Sequence, residues 1–135
     1  MPENVDLVRR GFELFAGGGP AALLPLTDPE IECYTDSRLP NAGTYHGHDG
    51  YLSWTQQWLE AWEDFQMEPL EFVEVGEEIV VVPLHQRGKG KGSGIEVEMD
   101  LTYLFEGRDG RVTRIHLYET KERALEVARE LAPER

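Results

Sequence analysis

The chain has 135 residues, 40% of them hydrophobic and 10% aromatic, a composition expected of one globular domain with its own core and not of a disordered chain. Its formal charge of −13 repels phosphate backbones and argues against nucleic acid as a partner; the acidity reads as solubility. Cys33 is the one cysteine, so no intrachain disulfide forms, and neither a signal segment in "MPENVDLVRR" nor an apolar run near the roughly 20 residues of a membrane span is present, so the expectation is a soluble cytoplasmic protein with no membrane partner.

The first helix is expected from Asn4 to Ala16, where Val5, Val8, Phe12 and Phe15 fall on one face. Asn4 is placed to cap it, and "GGGP" (Gly17 to Pro20) ends it. A short helix over Pro20–Leu26 begins on proline, which suits a first helical turn. "TDP" breaks that helix, and a strand follows over Glu30–Tyr34.

A polar loop, "TDSRLPNAGTYHG", leads to a long helix over Asp49–Asp64. In an extended segment His46 and His48 would point the same way and could chelate a metal. A zinc site needs further ligands, and nothing in the spacing brings His85 or His116 to the pair. The preferred reading is a turn at Gly47 that opens the helix, with Asp49 at the positive end of its dipole and no metal. The helix itself, "YLSWTQQWLEAWEDF", repeats Tyr51, Trp54, Trp58, Trp62 and Phe65 at helical spacing. Such a stripe is core packing or, beneath a curved sheet, the wall of an apolar pocket.

Beyond it the period changes from helical to alternating. Strands are expected over Gln66–Val75, Glu78–Lys89, Gly94–Glu106 and Arg111–Glu119, with turns at "GEE", "GKGKGSG" and "GRDG". "GKGKGSG" lacks phosphate-loop spacing and no helix follows it, so it is a hairpin turn. The second strand is apolar on both faces over Ile79–Val82, which requires cover on its outer face too. Pro83 leaves the register of His85 open; facing inward, His85 would be an acid–base group near neutral pH. In the third strand Met99, Leu101 and Tyr103 share the face that must meet the helices, while Glu98 and Asp100 fall outside. In the fourth, Ile115 and Leu117 face inward and would carry Glu119 with them, if the strand extends that far. Arg114, His116 and Tyr118 then join Glu98 and Asp100 on an outer polar and aromatic surface suited to a homodimer. A last helix over Lys121–Leu131 presents Ala124, Ala128 and Leu131 on one side. Helices followed by an antiparallel meander imply an α+β fold, with the helices on one face of a sheet that curls around a hollow.

The segments "ENVDLVRRGFELF", "DPEIE", "GTYHGHDGY", "EAWEDF", "RGKGKGSGIEVEM" and "GRVTRIHLYETKERALE" together resemble the SnoaL-like branch of the nuclear transport factor 2-like superfamily, over nearly the whole chain. The resemblance implies a cone-shaped, curved, mostly antiparallel sheet packed on the N-terminal helices, an apolar pocket at its mouth, and a homodimer through the sheet. It implies no single activity, because the superfamily includes isomerases, cyclases, hydrolases, dehydratases and non-catalytic binding domains. The tyrosine and aspartates of ketosteroid isomerase relatives correspond roughly to Gly11 or Phe12, Cys33 or Tyr34, and Leu101, none of which is the required residue.

Three readings follow. The first is a homodimer that binds an apolar or aromatic small molecule without a cofactor. Trp54, Trp58, Trp62, Met99 and Leu101 would form the pocket with Tyr103, Ile115 and Leu117, and His46 would stand at its mouth. The second is an isomerase-, cyclase- or hydrolase-type enzyme acting on a carbonyl or polyketide-like substrate, with His85, Glu119 and Tyr34 as acid, base and hydrogen-bonding group. The third is a protein-binding module, which needs an exposed apolar patch beyond the dimer face.

Overall fold

The computed structural model describes residues 3–36 and 42–132. The first helix, α1 (Glu3–Gly18), leads to a 3-10 helix (Pro20–Leu26) and strand β1 (Thr27–Thr35). Strand β2 (Gly43–His46) runs directly into helix α2 (Gly47–Glu60). Strands β3 (Trp62–Pro69), β4 (Val73–Val75), β5 (Ile79–Gly90), β6 (Glu96–Arg108) and β7 (Arg111–Tyr118) follow, then helix α3 (Lys121–Leu131). Residues 37–41 of the expected polar loop lie outside the described residues.

The strands form one seven-stranded sheet in the order β2-β1-β7-β6-β5-β3, with β4 also on β5. Every pairing is antiparallel except β1 with β7. The concave face meets α1 and α2. There Val8 packs on Val80 and Val82 of β5, and Tyr51 and Trp54 of α2 pack on Ile31, Cys33, Leu101 and Ile115. The expectation of helices on one face needs a correction: α3 lies on the convex face, where fully buried Ala124 and Ala128 meet Ile79, Val81, Leu104 and Tyr118. Alanine at both positions lets helix and sheet approach closely. The double-sided apolar run of β5 is thus covered, over Ile79 and Val81, by this chain's own last helix.

Asn4 is not a cap. It lies inside α1, and its side-chain amide donates to the Glu77 carbonyl (2.8 Å) and the Gly107 carbonyl (3.3 Å), tying the helix to the sheet. Gly19 stops the run of helical residues by taking φ 74°, a conformation glycine adopts freely.

The tryptophan helix is shorter than its periodicity predicts. It ends at Glu60, and Trp62 and Phe65 stand on β3. The open edge of β5 over Leu84–Gly90 is the competing partner: pairing runs from Trp62 with Gly90 to Pro69 with Leu84. Gly88 makes room for it. A Cβ on Gly88 would sit 3.4 Å from the Trp62 Cβ and 3.5 Å from the Phe65 Cα. Asp64 absorbs the resulting bulge with φ 53°.

The expected strand Gln66–Val75 is two pieces, β3 and β4, on the same edge of β5. Pro83 explains the break. Its carbonyl accepts from the Leu70 amide (2.9 Å), so the N–H it lacks would have pointed to that same side, at the gap between the two strands. The β6–β7 hairpin turns on Asp109 (φ 53°) and Gly110 (φ 76°), the left-handed pair that a two-residue turn demands.

Candidate functional site: an apolar cavity under the sheet

The concave sheet and the N-terminal helices enclose a half-open cavity of about 80 Å³. That is several times the roughly 10–15 Å³ one water requires. Its floor is α1, with Leu7, Val8, Gly11, Phe12 and Phe15. Leu23 and Leu26 of the 3-10 helix and Thr27 close one side; Tyr51, Trp54 and Thr55 of α2 form another. Met67, Tyr103, Phe105, Val112 and Ile115 come from the sheet. None of these side chains is a carboxylate, an amine, a guanidinium or an imidazole.

Most of the polar atoms among them are already used. The Tyr51 hydroxyl donates to the Pro20 carbonyl (3.1 Å) and the Thr27 hydroxyl to the Leu24 carbonyl (2.9 Å). The Trp54 indole N–H donates to Thr35 Oγ1 at 2.7 Å, pinning α2 to β1, and the Thr55 hydroxyl donates back along its helix. Burial raises the Tyr51 phenol and pushes Tyr103 up to about 12. Burial also pushes the Cys33 thiol, behind the cavity, up to about 12, which leaves it inert. This site can hold an apolar ring and offer neutral hydrogen bonds. None of its lining side chains gains or loses a proton near neutral pH.

Of the residues the sequence nominates, Trp54, Tyr103 and Ile115 line this cavity. Leu101 and Leu117 are buried in the core beside it, and Met99 packs against that core without lining the cavity. Trp62 belongs to β3 and not to α2, which removes it from the helical wall. The side chain of Trp58 lies outside the described part of the structure. His46 is exposed on β2 opposite Glu32, while His48 Nε2 meets the Thr27 carbonyl at 3.1 Å. Among the described residues no three His, Cys, Asp or Glu side chains gather as metal ligands.

The three acid–base candidates do not meet. His85 pairs across the strands with Asp100 and points to the convex face, where Nδ1 lies 2.7 Å from Asp100 and Nε2 2.8 Å from Glu98. Those hydrogen bonds, Asp100 first and then Glu98, raise its pKa. Tyr34 also points outward, its ring 5.1 Å from that of His116 and its hydroxyl 3.5 Å from Asp36. Glu119 is exposed beyond the end of β7, so no inward alternation reaches it.

The sequence missed a network on the convex face. His116, 8% exposed, has Nε2 2.9 Å from Glu32 and Nδ1 2.9 Å from the Tyr118 hydroxyl. Burial lowers the His116 pKa against the pull of Glu32. Burial by itself would raise Glu32, but the His116 hydrogen bond and the Arg114 charge together lower it. The two shifts describe a neutral imidazole donating from Nε2 to an ionised carboxylate, with the Tyr118 hydroxyl donating to Nδ1. Arg114, 3.4 Å from Glu32 and 3.6 Å from Glu106, carries the compensating charge.

The fold around the cavity is that of the nuclear transport factor 2-like proteins. A nuclear transport factor 2-like protein of unknown function from Burkholderia pseudomallei superposes with a TM-score of 0.77 at 20% identity, covering 95% of this chain and 98% of that one. A second, from Burkholderia xenovorans, gives 0.69 at 27% identity, over 93% and 95%. TerC, crystallised with polyporic acid, gives 0.75 at 20% identity, over 93% and 98%. Within that fold the chain belongs to the SnoaL-like domain family, whose profile matches residues 8–115. No curated protein matches the chain. Among the described residues no helix is long and apolar enough to cross a membrane.

Proposed function

We propose that this SnoaL-like protein is a small-molecule binder whose cavity takes an uncharged aromatic or apolar ligand. The observation that carries the reading is the lining: aromatic and aliphatic side chains with no ionisable group that titrates near neutral pH. A charged ligand would leave its charge unpaired there, at a cost of several kcal/mol by the usual desolvation argument, roughly 3–5 kcal/mol. TerC, of the same fold, was crystallised with a small organic molecule, which supports the fold as a ligand holder. The acid–base alternative loses support because His85, Tyr34 and Glu119 all lie away from the cavity.

The test is ligand-observed NMR with uncharged one-ring aromatics on the wild type and on Gly11→Leu, whose side chain would grow from α1 into the cavity past Leu23. Binding to the wild type and at least a roughly tenfold loss in a folded variant are expected. Equal binding by both proteins, or by neither, refutes the reading. We further propose a homodimer through the convex sheet that α3 leaves uncovered, around His85, Glu98 and Asp100; a monomer mass in sedimentation at micromolar concentration refutes that.

A further inference from the structure

Among the described residues, Gln86 is a buried side chain on the concave face whose amide finds no hydrogen-bond partner. It is 1% exposed, and neither its amide nitrogen nor its amide oxygen has a hydrogen-bond partner among the described residues. Leaving such a group unsatisfied costs about 1–3 kcal/mol.

Its position ties it to the cavity. Val80, Val82, Leu84 and Gln86 alternate onto the concave face of β5, the first two of them against α1. Gln86 pairs across the sheet with Met67 on one side and Met99 on the other. Met67 lines the cavity, as does Tyr103, whose hydroxyl lies close enough to the Gln86 amide for the amide to favour its ionised form, though without a completed hydrogen bond. Here a buried donor–acceptor amide without a hydrogen-bond partner among the described residues stands near a phenol, behind a flexible methionine, at the sheet end of an apolar site.

We infer that Gln86 and Tyr103 form the polar recognition point of the cavity, and that its ligand is a neutral aromatic bearing a hydroxyl group. A hydroxyl can donate to the amide oxygen while accepting from the amide N–H or the phenol, so it uses both unpartnered ends at once. A purely apolar ring leaves them unmet. The inference rests on the reading of the cavity as a ligand site, and the test separates the two.

The probes are p-cresol and p-xylene, which match in shape and differ by hydroxyl against methyl. Both are titrated into the full chain labelled with carbon-13 at its methionine methyls; of the three methionines, Met67 and Met99 flank Gln86. Both probes are expected to move the Met67 resonance, with p-cresol binding at least as tightly as the more hydrophobic p-xylene. Gln86→Leu should tip the ratio roughly tenfold toward p-xylene, while thermal stability holds or rises because an unsatisfied amide has gone. Tyr103→Phe, which removes only the hydroxyl, should tip it the same way and serves if the first variant does not fold. An unchanged ratio in both variants leaves the cavity standing and overturns the inference. A markedly lower thermal midpoint in Gln86→Leu also overturns it, since the amide would then be satisfied within the protein. If neither probe moves Met67, the cavity reading fails and the inference with it.

Discussion

Gly11→Ala is expected to make this protein more stable. Glycine inside a helix costs about 1 kcal/mol relative to alanine, because the unfolded chain has more freedom to lose. Gly11 lies in the middle of α1, and a Cβ built there meets only Leu23 Cδ2 at 3.8 Å, an ordinary contact. The new methyl enters space that is otherwise cavity, so burial adds to the propensity gain. A gain of about 1 kcal/mol is therefore a conservative figure. With an unfolding entropy near 2.1 cal/mol/K per residue, a chain of this length converts that gain into a rise of about 3–4 °C in thermal midpoint. Circular dichroism at several scan rates would read it. A midpoint that stays level or falls would mean that α1 or the cavity is not built as described. The same substitution narrows the cavity, so probe binding should weaken as stability grows, the opposite of what a general loosening of the fold would do.

Gly107→Ala should act in the other direction. A Cβ there would sit 2.5 Å from Asn4 Oδ1 and 3.2 Å from Leu7 Cδ2, forcing α1 off its tether at a cost of about 1–3 kcal/mol, visible as a lower denaturant midpoint at constant slope. Trp54→Phe leaves buried Thr35 Oγ1 without its donor and should lose about 1–3 kcal/mol in the same assay; a loss near zero would refute the tie between α2 and β1. His85 and His116 should titrate on opposite sides of the ordinary histidine value of 6.5, His85 above it and His116 below, as NMR of the ring protons can follow. Because the His85 pKa is raised on folding, its contribution is complete below 6.5 and is lost as pH rises through the raised value; His85→Gln should thus lose more thermal stability at about pH 5.5 than at about pH 8.5. His116, lowered by burial, contributes fully above 6.5 and loses that contribution as pH falls through the lowered value, so its substitution should show the reverse dependence.

The elements with strong local signals were legible. The glycine-marked hairpins of β5, β6 and β7 and the face of α3 carry their own period and turn chemistry. What competed with local pattern was not legible. Trp62 and Phe65 have helical spacing, but an unpaired strand edge with two glycines in it claims them for β3. β2 is four residues long, too short to show alternation, and is held by its pairing with β1. Trp54, Tyr103 and Ile115, which periodicity puts on inner faces, line the cavity. His85 does not, in keeping with the outer position of its strand partner Asp100. Two signals went unused. One is a glycine within the apolar face of α1, which marks space. The other is Gln86, which breaks the inward series Val80, Val82, Leu84 with an amide.

The parallel join of β1 to β7 has a consequence for how the protein comes into being. β1 ends at Thr35 and its inner neighbour begins at Arg111, so the strand that carries Ile31 and Cys33 into the core has only β2 to hold until most of the chain exists. At ribosomal speeds the wait is roughly 4–15 s, long compared with the time helices need to form. The N-terminal third must stay sticky and unfinished throughout that interval. A newborn chain stopped before Arg111 should be the form that chaperones hold, and the release of β7 the event that lets it go.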